Sequence, residues 1–140
     1  VPVIRVGKLR FRDLDRSGTL DPYEDWRLSP EDRARDIVGR MTLAEKAGTM
    51  MHGTAPFPGG ARSGTRYDRA AARTMVVARN VTSLLTRLAI APRDFATENN
   101  GLQEIAESGR LGIPLTLSTD PRSHFQYTAG ASVSSVGFSQ

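Results

Sequence analysis

Apolar residues in the first dozen positions alternate with polar ones and change sides at a glycine. Val1 and Val3 share one face, Ile4 and Val6 take the other, and Leu9 and Phe11 follow beyond Gly7. This period-two pattern predicts short extended segments broken at Gly7. Asp13–Glu24 is acidic with Gly18 at its centre, and predicts a loop.

From Ser29 the period lengthens. Ser29-Pro30-Glu31-Asp32 offers an N-cap hydroxyl, a proline at the first helical position and early acids. Ala34, Ile37, Val38 and Met41 then fall on one side, predicting a helix with an apolar stripe turned toward a core. Thr42-Leu43-Ala44-Glu45 repeats the start signal as a capping box, so a second helix is predicted through Ala47 toward Met50. Met41 and Met50 read as core filler rather than as metal or redox groups.

Residues 52–66 are rich in glycine and proline and predict a surface loop. Their glycines lack the Gly-Lys-Ser/Thr ending of a phosphate-cradling loop, and Arg66 does not replace it. Residues 67–79 carry helix formers, while Val81–Leu85 is either a strand or a continuation of that helix. Ala96–Ser108 predicts a helix with Leu102, Ile105 and Ala106 on one side and Gly109 as its stop. Next, Leu111–Asp120 is a short, β-rich run that ends in a carboxylate followed by Pro121. Helix followed by buried strand is half of a βα unit, which places the chain in the α/β class. No element is predicted for Thr128–Gln140, and no internal repeat is present.

Composition narrows the classes. At 140 residues there is room for one ordinary domain, and 39% hydrophobic with 24% charged residues argues against disorder. No apolar run approaches the length of a membrane span, so no membrane partner is expected. Val1 is not followed by a charged and then apolar segment, so any signal peptide is expected to have been removed or to lie outside this stretch. The absence of cysteine removes disulfides, zinc-thiolate sites and thiol catalysis. It fits a periplasmic or secreted protein and a cytosolic one almost equally. The net charge of +4 comes from arginines interspersed with acids, Lys8 and Lys46 being the only lysines, so a nucleic-acid face is not expected.

One loop carries metal chemistry. Asp13, Asp15, Ser17, Gly18, Leu20 and Glu24 meet the pattern D-x-D-x-[DNS]-G-x-[ILV]-x-x-x-E in full. Calcium is a hard cation that takes about six to eight oxygens, and this spacing gathers them around a point. Asp13, Asp15 and Ser17 would offer side-chain oxygens and Thr19 its carbonyl; Asp21 would act through a water, and Glu24 would close the site with two oxygens. Gly18 permits the bend, and Leu20 anchors the loop. No entering helix is predicted and no second copy exists, so the alternative is an acidic turn that needs no metal. Any calcium here is expected to be structural.

A second candidate is Asp120, at the carboxyl end of a predicted parallel strand, where barrels and open α/β sheets place functional side chains. Its carboxylate could accept hydrogen bonds from two sugar hydroxyls. It could equally cap a following helix or make a turn. Arg122 and His124 lie nearby, but a lone histidine is more often structural than catalytic, and His52 is read in the same way.

Three stretches together resemble one branch of the family 3 glycoside hydrolases: Asp13–Gly48, Gly101–Phe125 and the closing SSVGFSQ. The resemblance implies a (β/α)8 TIM-type barrel followed by an α/β sandwich domain. Residues 1–28 then form an N-terminal arm with an EF-hand-like loop, and residues 29–140 the first part of an incomplete barrel domain, since a whole barrel needs about 250 residues. It implies exo-acting, retaining hydrolysis of terminal non-reducing β-D-glucosyl residues, with no cofactor for catalysis. Such enzymes use two carboxylates roughly 5 Å apart. In the family these come late in the barrel and beyond it, so no catalytic residue is expected in this chain, which alone should be inactive. Asp120 matches the family aspartate that grips hydroxyls of the terminal sugar. His124 stands four residues on, where the family has its histidine three residues on, which leaves its role open. β-Xylosidase or exo-β-glucanase activity on the same scaffold, and a non-catalytic calcium-binding module, are the alternatives.

Overall fold

In the computed structural model, residues 1–61 and 64–119 are described below. The first dozen residues form an antiparallel hairpin of β1 (Val3–Val6) and β2 (Leu9–Arg12), in register from Val3↔Arg12 to Val6↔Leu9. The expected break at Gly7 is its turn, where φ is +60°. Most of the hairpin is exposed. Phe11 is the exception: it is buried against Trp26, with ring centroids 5.5 Å apart, while the Arg27 guanidinium lies 5.0 Å from its ring centre.

Beyond the acidic loop come α1 (Pro30–Arg40) and α2 (Leu43–Thr49), started as their sequences predict. Ser29 Oγ accepts from Asp32 N at 3.1 Å, and Thr42 and Glu45 make a reciprocal capping box. The expected burial of the α1 stripe is not found. α1 has no buried residue, Ala34 and Val38 are exposed, and the helix is tied to the preceding turn by Arg33, Asp36 and Arg40 instead. Met50, expected in the core, is 85% exposed. Polar side chains make the attachment, and of the apolar stripe only Ile37 and Met41 are half-buried.

The body is a three-stranded parallel sheet in chain order: β3 (His52–Thr54), β4 (Ser83–Leu85) and β5 (Thr116–Ser118). Between β3 and β4 runs α3 (Arg69–Arg73), which loosens into a π turn over Thr74–Ala78, and between β4 and β5 runs α4 (Pro92–Glu107). β3 was not expected within the 52–66 loop; at three residues it is too short to show alternation. Val81–Leu85 resolves to a strand, and α4 begins before the expected Ala96, with Pro92 in its first turn. Only the end of the Leu111–Asp120 run pairs, since Gly112 takes φ +56° beside the Leu14 carbonyl and Pro114 has no N–H to donate.

The helices cover one face. Leu84, Leu102 and Ala72 are wholly buried, and Val76, Leu88, Ile105, Ala106 and Leu115 close around them. Burying each of the two leucines contributes about 2 kcal/mol. The other face carries His52, Thr54 and Thr116, all exposed, with Ser83, Leu85 and Ser118 half-buried between them.

Candidate functional site

The acidic loop leaves β2 and returns into a short 3-10 turn at Pro22–Glu24, so a strand enters it and a turn leaves it. Its bends are made by its own carboxylates. Asp13 Oδ2 accepts from Gly18 N at 3.1 Å, and Asp15 Oδ1 accepts from Ser17 N at 3.0 Å. Arg16 and Gly18 have φ of +62° and +77°, and glycine takes this conformation without strain.

Asp13, Asp15 and Glu24 converge, each offering an oxygen within 4.8 Å of the others. Asp13 and Glu24 are buried, at 4% and 5% exposure. Glu24 ties the ends of the loop together: Oε1 accepts from Leu14 N and Asp15 N at 2.5 and 3.4 Å, and Oε2 from Asp21 N at 3.2 Å. Asp13 Oδ1 is buried and has no hydrogen-bond partner among the described residues. A buried carboxylate oxygen is costly when unmatched, and a cation in the centre of the three groups would satisfy it. The donor set is oxygen throughout, as calcium or magnesium requires. The residues present therefore fit a hard divalent cation, held by Asp13, Asp15 and Glu24.

The remaining expected ligands are engaged elsewhere. Ser17 Oγ lies 3.1 Å from the Thr19 carbonyl and 3.0 Å from its hydroxyl. Asp21 Oδ1 accepts from Arg40 Nη2 at 2.7 Å, so its carboxylate is turned toward α1. Arg40 also binds Asp36 at 2.9 Å and stands 4.0 Å from Asp15. Its partnership with the loop was not visible in the sequence. Tyr23 backs the site: its hydroxyl reaches the Leu111 carbonyl at 3.3 Å, and burial, then the charges of Glu24 and Asp15, push its phenol pKa up. Arg16 Nη2 donates to the Glu107 carbonyl at 2.7 Å, and Arg12 pairs with the Glu107 carboxylate. The loop is thereby tied to the end of α4.

Asp120, Arg122 and His124 lie outside the described residues. The strand leading to them does not. Ser118, two positions before Asp120, ends β5, with its carbonyl held by Thr86 N at 2.8 Å and Thr86 Oγ1 at 3.0 Å. Beyond the carboxyl ends of β3 and β4, Ala55, Pro56, Phe57 and Arg87 line a shallow pocket. Among the described residues no helix is long and apolar enough to cross a membrane.

No protein-family model matches the chain. It is 57% identical, over 99% of its length, to a protein of Dickeya chrysanthemi named periplasmic beta-glucosidase/beta-xylosidase. It is 33% identical over 91% of its length to beta-glucosidase C of Emericella nidulans, and 30% identical over 94% to a probable beta-glucosidase C of Aspergillus oryzae. The chain spans 22%, 20% and 21% of these relatives' lengths, so it corresponds to about a fifth of each. Across nearly its whole length, then, the chain is similar to part of proteins named as beta-glucosidases, a likeness that the stretches Asp13–Gly48 and Gly101–Phe125 led us to expect.

Proposed function

We propose that the chain is the N-terminal part of the catalytic barrel of a family 3 enzyme that removes terminal non-reducing β-D-glucosyl residues with retention of configuration. The observation that carries this reading is the face of the parallel sheet that no other described element covers. Parallel sheets are stable when both faces are covered, yet His52, Thr54 and Thr116 stand exposed opposite the helices. Strands laid down in chain order, with a helix after each of the first two, are what closure into a (β/α)8 barrel requires. Further strands would turn this face into the barrel interior. Residues 29–140 would then be barrel and residues 1–28 an arm pinned to it by the acidic loop.

On this reading the nucleophile and the acid/base lie outside these 140 residues, and the chain supplies substrate binding. Asp120 comes two positions after the last residue of β5, and on this reading it would stand at the end of the barrel where active sites form. An ionised carboxylate there accepts hydrogen bonds from two sugar hydroxyls and fixes the terminal ring. The substrate is a β-glucoside or a β-gluco-oligosaccharide. β-Xylosides are the second reading, favoured by the double name of the Dickeya relative, whose periplasmic location is proposed for this protein too. A cation in the acidic loop, calcium by preference, would stiffen the arm and take no part in the chemistry.

The test is Asp120→Asn in the full-length enzyme on a panel of aryl β-glycosides. Loss of one charged contact to substrate should lower kcat/KM by about 2–4 kcal/mol of transition-state stabilisation. Wild-type turnover in the variant would remove Asp120 from the sugar pocket.

A further inference from the structure

We propose that His52 is a positioning residue for substrate binding, acting through Ser118 on the strand that leads into Asp120. The inference rests on the reading of Asp120 as a sugar-binding residue. His52 opens β3 and Ser118 closes β5, with β4 lying between them. The register places His52, Ser83 and Thr116 in one row and Thr54, Leu85 and Ser118 in the next. Because side chains two apart on a strand share a face, both residues project from the face away from the helices. The imidazole crosses β4 diagonally, and its Nε2 lies 2.8 Å from Ser118 Oγ.

Ser118 is held from several directions at once. Its carbonyl accepts from Thr86 N and Thr86 Oγ1, and its hydroxyl meets His52 and, at 3.4 Å, the Leu84 carbonyl. The backbone ladder fixes β5 relative to β4, but β3 and β5 are not neighbours in the sheet. The His52–Ser118 bond joins them directly. With β5 only three residues long, a tie two positions before Asp120 constrains the direction in which the chain leaves the strand. A carboxylate that must meet two hydroxyls at once is sensitive to that direction, since small displacements of a binding group are felt in affinity. Aliphatic residues at these positions would cover the face as well, so a polar pair here points to register and aim.

The experiment uses the full-length enzyme, with His52→Ala, Ser118→Ala, the double variant and His52→Gln measured on an aryl β-glucoside beside thermal melts. Loss of one neutral hydrogen bond that aims a binding group should raise KM roughly three- to tenfold, with kcat changed by less than about twofold. The double variant should be no worse than either single one, and His52→Gln, which keeps a hydrogen-bonding side chain, should recover most of the affinity. Unchanged KM in both single variants, or additive losses in the double variant, overturns the inference. Ser118→Ala deletes one atom of the same bond and decides the matter if His52→Ala does not fold. A wild-type enzyme inactive on every β-glycoside fails the underlying reading and the inference with it. An active one that is crippled by Asp120→Asn but indifferent to His52→Ala fails the inference alone.

Discussion

Gln103 holds Leu115 by both of its backbone groups. Gln103 Nε2 donates to the Leu115 carbonyl at 2.9 Å, and Gln103 Oε1 accepts from the Leu115 N–H at 2.9 Å. Leu115 is 6% exposed and sits just ahead of β5, where the strand ladder has not begun. Its polar backbone therefore needs a partner from elsewhere. A primary amide carries donor and acceptor in one plane and can satisfy both. Gln103→Glu removes the donor and sets a carboxylate oxygen against the carbonyl. It should destabilise the protein by about 1–3 kcal/mol, whereas Gln103→Ala leaves both groups unpaired at a similar cost. Urea unfolding of the two variants checks this, and an unchanged midpoint in both would mean that water replaces the amide.

Glu45 and Arg110 form a second long-range tie, from the first turn of α2 to the stretch before β5. Arg110 Nη2 lies 2.6 Å from Glu45 Oε2 and its Nε 2.9 Å from Oε1, a two-pronged pair. The Arg110 hydrogen bond first, then bonds from Thr42, hold the Glu45 carboxyl down at about 2, against an ordinary 4.5. A folded-state value below the unfolded one means that the pair contributes its full stability above about pH 4.5 and loses it as the pH falls toward 2. Arg110 is 54% exposed, so solvent screens the pair and about 1–2 kcal/mol is expected at neutral pH. Glu45→Gln should cost that amount at pH 7, and the gap to wild type should close between pH 4.5 and 2. Denaturant titrations at several pH values read the gap, and a pH-independent gap would mean that the Glu45 charge does not carry the loss.

The starts of elements were legible in this sequence, and their surroundings were not. Ser29 caps Asp32 and Thr42 caps Glu45, each pair only three positions apart, so their capping bonds follow from local order alone. Gly7 was readable for the same reason. The apolar stripe of α1 was misread in part, at Ala34 and Val38, because periodicity reports which residues share a side and not what stands opposite. Here Arg33, Asp36 and Arg40 attach the helix, and Val38 faces outward. The loop illustrates both cases. Spacing announced that Asp13, Asp15 and Glu24 would meet, because a turn joins them, while Arg40 drawing off Asp21 depends on how α1 docks. The His52–Ser118 bond spans 66 positions and leaves no mark on either segment.

The loop gives the last prediction, and its sign depends on the medium. Asp13 and Glu24 bring two buried carboxylates together beside Asp15, and Asp13 Oδ1 waits for a positive partner. With calcium available, binding to the folded state alone adds about 2.7 kcal/mol at a hundred times the dissociation constant, so the Tm should rise with calcium and fall in EDTA. Asp13→Asn keeps an oxygen for Gly18 N but removes one charge from the cluster. In calcium the variant should melt below wild type, because it has lost a ligand. In EDTA it should melt at or above wild type, because one buried, unmatched charge is gone. Two melts of each protein, with metal analysis of the purified samples, test the crossing. A wild-type melt unmoved by chelator, in a protein that contains no calcium, would make the loop an acidic turn held by Arg40 and its own backbone.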